Sequence, residues 1–555
     1  MRPNSDKRKR AARREDIAAS QASKVIVGGL TWPVLAPLAF LLLAILLVVV
    51  ARVRLLGVPL ERDEGEYAYL GALMLQGVAP YGIAANMKLP GTNAAYALIM
   101  AVFGHSIYGI HFGFLLVNGG AILLVYFLAR RFFGVAAGVA AAASYAVLSV
   151  GAGVLGLWAH ATHFVVLPAL GATLLLLQWV DRPRAARLAG SGFLFGMAFL
   201  MKQPGALFAV FGLLFLIYSQ RQHWQANRLQ VFRDVLLFGG AVLLPFAVTC
   251  ALLWHAGVFG DFWLWVFTYA RKYVGLRTMS IGINALQIYA TPIATANAGI
   301  CLLAATGLFM VWRRREHRNA AVILTGFLIC SFLAVCPGLY FREHYFVLML
   351  PAVALLVGAF AATATKSVAA VWPLWLVVAA LGYTIGKQEA YLFQLTPQEE
   401  SVAVYGRNPF PEAIPVADYI RDRTRSDDRI AVLGSEPEIY FYAQRRAAVP
   451  YVYIYPLVEA QPLAALMQMD FIRDVEAAKP KFLVVVNISA SWLVQANAPA
   501  GLFRWMTPYC KRYYDQVGVV DLLPQGTKYQ WDAEAVNYQP RASNYLLILR
   551  RKAEF

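Results

Sequence analysis

Long apolar runs recur along this chain and leave few folds open to it. Residues 30–50 hold no charged side chain. About 20 apolar residues suffice to cross the hydrocarbon core of a bilayer. Predominantly apolar runs of similar length recur at about 107–129, 133–150, 161–180, 235–256, 291–312, 319–336, 345–363 and 370–386. A further run, 188–218, is too long for one span and is interrupted by "MKQPG" at Lys202. It reads as two short helices meeting at an external Lys-Gln-Pro turn. The sum is about eleven transmembrane helices, and the fold class is a polytopic α-helical membrane protein. Only 14% of residues are charged, against about 25% in soluble domains.

The net charge of +18 does not point to nucleic acid. The basic residues cluster in "DKRKRAARRED" at the start and in short loops such as "DRPRAAR" and "RRREHR", the positive-inside pattern. Residues 1–29 are therefore expected to be a cytoplasmic basic tail near anionic lipid, and no nucleic-acid-binding module follows. The first run is longer than a signal-peptide core of about 7–15 residues and reads as a retained span. Four of the five cysteines lie in or at the ends of apolar runs, without a CxxC spacing, and read as packing residues.

The expected organisation is a transmembrane domain over 30–386, with a first external loop at 53–106, and an external domain over 387–555. In the latter the apolar runs end. "DRIAVLG", "PKFLVVVN" and "YLLILRR" read as strands, and "PEAIPVADYIRDRT" and "MDFIRDVEAAK" as helices. Their alternation predicts a small α/β domain. Its tyrosine-rich stretch "VLGSEPEIYFYAQRRAAVPYVYIYP" offers rings that can stack on sugars. Most of these are expected in the core, and an acceptor-gating role is a hypothesis for the domain.

"ERDEGEY", Glu61 to Tyr67, places four acids just outside the first span. Acids at a helix start favour its dipole, which alone would make this a solvated helix end. The residues that follow, "LMLQGVAPYG" and "NMKLPGTNAAYALIMAVFG", suit two amphipathic helices lying in the membrane interface. The order is span, acids, helix, turn, Lys-x-Pro, helix, span. With "RDEGEYAYLGALMLQGVAPY" (62–81), "GMAFLMKQPGAL" (196–207) and "YFREHYFVLMLPAVALL" (340–356), this order resembles GT-C-type membrane glycosyltransferases. It is most similar to the family of the protein O-mannosyltransferases and lipid A aminoarabinose transferases, over about the first 360 residues.

That resemblance implies a GT-C fold and a sugar donor carried on a polyprenyl phosphate in the membrane lipid. The sugar would pass, with inversion, to a lipid, glycan or protein acceptor at the external face. The membrane would be a bacterial inner membrane, with the N-terminus cytoplasmic and the C-terminal domain periplasmic. Matched residue by residue, Asp63 takes the place of the catalytic base, and Glu64 positions Asp63 or the acceptor. Lys88 of "KLP" and Arg342 of "YFREHY" take the places of phosphate-binding cations, with Lys202 a third. A phosphate leaves unprotonated, so this chemistry needs cations rather than a second, acidic carboxyl. Glu66, Tyr67, Tyr81, His344 and Tyr345 are further candidates for substrate contact.

One departure stands out. Many relatives carry a second acid in the next external loop, where this chain reads "GLWAHATHF". His160 and His163 are spaced to share a metal, but no carboxylate completes the set nearby. They are expected first as a plain interfacial pair, and next as hydrogen-bond partners of the sugar or of Asp63. No cofactor and no metal are expected. The rival readings are a transporter, which usually pairs interrupted helices in two repeats, a lipid-linked glycan ligase, and a non-catalytic scaffold.

Overall fold

The computed structural model describes residues 26–27, 30–222, 227–275, 277–364 and 372–553. The basic tail, bar two residues, lies outside them. Among the described residues, fourteen α-helices of 13 residues or more precede the C-terminal domain: α1 (Trp32–Arg54), α2 (Arg62–Leu75), α3 (Gly91–Phe103), α4 (Ile107–Phe133), α5 (Val135–Leu148), α6 (Ala161–Asp181), α7 (Ala185–Met201), α8 (Ala206–Ser219), α9 (Arg228–His255), α10 (Met279–Ala296), α11 (Ala298–Arg313), α12 (Arg318–Val335), α13 (Leu350–Ala364) and α14 (Trp372–Lys387). Among the described residues, five helices are long and apolar enough to cross a membrane, or six if the pair α10–α11, bent by 92°, is one span. Helices α3, α5 and α7 are shorter apolar segments, as is the stretch that contains α8. The protein is a multi-pass membrane protein.

The bundle packs on its small residues. Helix α5 carries seven alanines and one glycine and is buried along almost its whole length between α4 and α13. Helix α7 lies between α6 and α9. Close backbone approach of this kind is how helices associate in lipid, where burial of apolar surface drives little. The outward faces carry exposed leucines and phenylalanines, among them Leu116, Leu123, Leu244 and Leu252.

The two helices of the loop between α1 and α4 differ. Helix α3 buries Asn93, Tyr96 and Met100 and exposes Leu98 and Val102, as an interfacial helix would. Helix α2 does not lie half-exposed. Every residue from Glu64 to Leu73 is buried, because the C-terminal domain covers the face that α3 leaves free.

The C-terminal domain is a six-stranded mixed sheet. Its strands are β1 (Arg429–Leu433), β2 (Arg446–Ala447), β3 (Phe482–Asn487), β4 (Tyr514–Leu523), β5 (Gly526–Trp531) and β6 (Tyr545–Arg551), in spatial order β2-β1-β3-β6-β4-β5. Strand β1 runs parallel to β2 and β3, and the other pairings are antiparallel. The flanking helices include α15 (Phe410–Asp422), α16 (Pro437–Ala443) and α17 (Ala464–Ala478). The three strands and two helices predicted from sequence are present, whereas the hairpin β4–β5 was not predicted. Strand β3 is apolar at successive positions because both of its faces are covered. Phe482, Val484 and Val486 point into a core shared with Tyr67, Tyr69 and Leu70 of α2, and Leu483 points into a second core with Phe471. One continuous core therefore joins the C-terminal domain to the loop between α1 and α4.

Candidate active site

A cavity of about 440 Å³ lies where four stretches meet beneath the C-terminal domain: the loop between α1 and α4, the α7–α8 turn, residues 265–274 and residues 337–345. Asp63, Glu66, Tyr67, Lys88, Lys202, Arg342, His344 and Tyr345 all line it. Stretches far apart in sequence thus converge on one space.

The start of α2 sets the acidic side. Glu61 caps the helix in a reciprocal capping box with Glu64, its side chain accepting from the Glu64 N–H at 2.9 Å. This fixes the first turn. Successive residues then point about 100° apart, so Asp63 and Glu66 face the cavity and Glu64 faces away. Glu64 is fully buried, and its Oε1 accepts from the Ala159 N–H and lies 3.2 Å from His111 Nε2. The expectation that Glu64 positions Asp63 or the acceptor takes another form here. Glu64 ties α2 to the loop before α6 and has no place on the cavity wall.

Lys88 is held on its backbone side by Asn86 Oδ1, which accepts from its N–H at 2.8 Å, and by Tyr81, which donates to its carbonyl at 2.7 Å. Tyr81, expected at the substrate, instead packs edge-on against Phe262 and supports the Lys88 loop. The ammonium bonds Asp63 Oδ1 at 2.8 Å and Glu66 Oε2, above the ring of Tyr67. Burial raises the pKa of Asp63, but the Lys88 charge and hydrogen bond, together with His344 and His160, reverse this and hold the carboxyl well below its usual range. Glu66 moves the other way, because burial outweighs its share of Lys88. Lys88 is therefore not an unclaimed cation awaiting phosphate. It neutralises part of an acidic pair.

Two further cations, Lys202 and Arg342, line the same cavity. Helix α7 ends at Met201, and Lys202 is extended before the Gln203–Gly205 turn, the break read from "MKQPG". Two bonds lash this turn to the first loop: Gln203 donates to the Met87 carbonyl and Thr92 to the Met201 carbonyl, both at 2.8 Å. Lys202 Nζ lies 4.1 Å from the centre of the Tyr345 ring. Arg342 follows a backbone with two left-handed residues, Leu339 and Phe341, a conformation that costs about 1 kcal/mol or more at each. Among the described residues neither Lys202 nor Arg342 forms a salt bridge.

The two histidines of "AHATH" part ways. His163 is buried edge-on against Phe114, away from the cavity, so its expected substrate contact is not supported. His160 stacks on His344 at 4.2 Å and places Nε2 3.2 Å from Tyr405 Oη. Asp63, His160 and His344 each bring a ligand atom within 4.8 Å of the others. This potential metal set replaces His163 of the sequence pair with His344 and takes its carboxylate from the first loop. The set fits a divalent cation in residue type, although Asp63 already serves Lys88.

Several lining residues escaped the sequence reading. Tyr269 and Tyr273 lie in the stretch between α9 and α10, and Tyr453, Tyr455 and Glu459 belong to the C-terminal domain. Tyr269 donates to Glu459, and Tyr453 donates to Asp63 Oδ1 at 3.1 Å. The signal was the run "YVYIY", whose tyrosines were assigned mostly to the core. Tyr440 and Tyr442 are indeed core residues.

Residues 88–254 match the sequence profile of the family described as dolichyl-phosphate-mannose-protein mannosyltransferase. No curated protein matches the chain. Among solved structures, the chain is similar to ArnT from Cupriavidus metallidurans bound to undecaprenyl phosphate, with a TM-score of 0.57 and 14% identity, covering 92% of this chain and 97% of that one. Apo ArnT matches at 0.54 and 15%, over 81% and 92%. The oligosaccharyltransferase of Archaeoglobus fulgidus matches at 0.49 and 14%, over 93% and 76%. The chain has the GT-C glycosyltransferase fold, as its resemblance implied.

Proposed function

We propose that this protein is an inverting glycosyltransferase that moves a sugar from a polyprenyl-phosphate donor to a lipid, glycan or protein acceptor. The observation that carries the reading is one cavity lined both by an acidic group, Asp63 with Glu66 and Lys88, and by two further cations, Lys202 and Arg342. A displacement at an anomeric carbon needs a proton acceptor on one side and charge stabilisation for the leaving phosphate on the other. ArnT, which shares the fold, was solved bound to undecaprenyl phosphate, and this supports a donor on such a carrier.

The acceptor hydroxyl attacks the anomeric carbon as the bond to the phosphate oxygen breaks. Its proton becomes acidic only as the new bond forms, and Asp63, kept ionised by Lys88, takes it. A positioned base contributes about 10²–10⁴-fold. Arg342 meets the departing phosphate with a planar fork and Lys202 with a point charge. Lys88 supplies the fixed positive charge beside the base, so we assign no metal to the reaction. The site lies at the external face of a bacterial inner membrane, with the N-terminus cytoplasmic.

Transfer from a set of synthetic undecaprenyl-phosphate sugars by the purified protein tests this. Turnover by the wild type and its loss in Asp63→Asn, at equal folding and equal binding of undecaprenyl phosphate, is the expected result. Equal turnover by both would remove Asp63 as the base. Neither turnover nor binding with any member of the set would overturn the function.

A further inference from the structure

We infer that Tyr453 of the C-terminal domain is a positioning residue for the transfer, fixing the Asp63 carboxylate through a hydrogen bond, so that the domain is a structural part of the active site. This rests on the reading of Asp63 as the base. Tyr453 Oη donates to Asp63 Oδ1 at 3.1 Å, and the same oxygen accepts from Lys88 Nζ at 2.8 Å. Two donors on one oxygen fix the rotation of a carboxylate and leave Oδ2 to face the substrate. A carboxylate at the start of a helix, on a single flexible bond, does not hold that orientation unaided. Reaction geometry is sensitive to such placement.

The segment that carries Tyr453 is itself braced on both sides. On the membrane side, the Ala85 N–H donates to the Pro450 carbonyl at 2.8 Å. On the domain side, the Ile454 N–H donates to Ser435 Oγ at 3.0 Å. Ser435 also receives Arg62 of α2 at its carbonyl. Arg62 bonds Glu436 at 3.0 Å in a largely buried ion pair. The residue before Asp63 therefore grips the same turn that braces Tyr453, and the two side chains are registered by a closed loop of contacts. A tyrosine serving only to fill the domain core would point into the sheet, as Tyr440 does with its hydroxyl on the Val432 N–H.

Tyr453→Phe removes the hydroxyl and keeps the ring. The first readout needs no turnover. In the full-length protein labelled with ¹³C-carboxyl aspartate, the infrared carboxylate band that Asp63→Asn abolishes is expected to shift in Tyr453→Phe. The second uses whichever undecaprenyl-phosphate sugar is turned over. We expect kcat to fall about tenfold or more, KM to stay within about twofold, and the solvent deuterium isotope effect to rise as proton transfer becomes limiting. Tyr442→Phe is the control. It removes another contact between the domain and the first loop, the bond to the Leu60 N–H, without touching Asp63, and should leave band, kcat and isotope effect unchanged. An unmoved band, or an unchanged kcat at equal folding, would overturn the proposal. So would a loss that parallels lower thermal stability and lower undecaprenyl phosphate binding, since that is a structural role. A silent Tyr453→Phe beside a dead Asp63→Asn defeats this inference alone, whereas an active Asp63→Asn defeats the underlying assignment.

Discussion

The ammonium of Lys88 stands 2.8 Å from Asp63 Oδ1, so the residue matched to phosphate binding is paired with the residue matched to the base. Burial lowers the pKa of Lys88, and Asp63 and Glu66 raise it well above its usual value. Lys88→Met removes that charge and leaves burial opposed only by His344, His160 and the Tyr453 hydrogen bond. Asp63 then holds its proton more tightly, and the acid limb of the transfer profile should move to higher pH. Activity at neutral pH is expected to fall about 10²-fold or more. A pH–rate profile of the variant checks both.

Glu64 offers a contrast in the adjacent position. Glu64→Ala strips a buried acceptor from the Ala159 N–H and from His111. Each stranded group costs about 1–3 kcal/mol. The expected result is a clear drop in thermal unfolding temperature, far larger than that of Asp63→Asn, whose carboxylate stands partly open to the cavity.

The join between α2 and the C-terminal domain has no spare room. A Cβ on Gly65 would come within 2.6 Å of the Glu438 backbone nitrogen. Gly65→Ala must push α16 from α2. Limited proteolysis should then cut in the segment after α14, near residues 387–396, faster than in the wild type, and transfer should fall with it.

Glu438 gives this join a pH dependence. Burial and the nearby Glu436 charge hold its carboxyl well above the ordinary 4.5, against the pull of Arg62. The folded protein binds this proton more tightly than the unfolded chain. The stability that the proton contributes is full below about 4.5 and is lost as pH rises from there through the folded-state value. Thermal melts from pH 5 to pH 8 should show a decline that Glu438→Gln flattens.

The cluster of Asp63, His160 and His344 makes a metal test informative. Transfer is expected to continue in excess chelator, because Lys88 supplies the fixed charge. Added Zn²⁺, which favours such a nitrogen and oxygen set, should inhibit by drawing Asp63 from Lys88. His160→Ala should relieve that inhibition. Loss of transfer on chelation would assign the cluster to catalysis instead.

Hydropathy was enough to read α4, α6 and α9, because lipid imposes length and apolarity on each span independently of its neighbours. The break at Lys202 was legible for the same reason, since a run can be too long. The strands β1, β3 and β6 showed as short apolar blocks. The hairpin β4–β5 did not, because "GTKYQW" forms an edge strand with little burial and so carries no apolar alternation. Within the site, Asp63, Lys88 and Arg342 were found by motif. Their partners were not. Which of Asp63 and Glu64 faces the cavity depends on the phase of one helical turn, set by the Glu61 cap. The contact of Tyr453 with Asp63 is made by folding a separate domain onto α2, and no local pattern records it.

Strand β6 (Tyr545–Arg551) lies in the middle of the sheet, between β3 and β4. That position governs when the protein can become competent during synthesis. The spans enter the membrane as they are made, yet β3 and β4 have no shared partner until residues 545–551 emerge. Helix α2 meets α16 and β3 earlier, but the sheet above it stays in two halves until β6 arrives. A chain halted after β5 holds β2-β1-β3 and the β4–β5 hairpin unjoined.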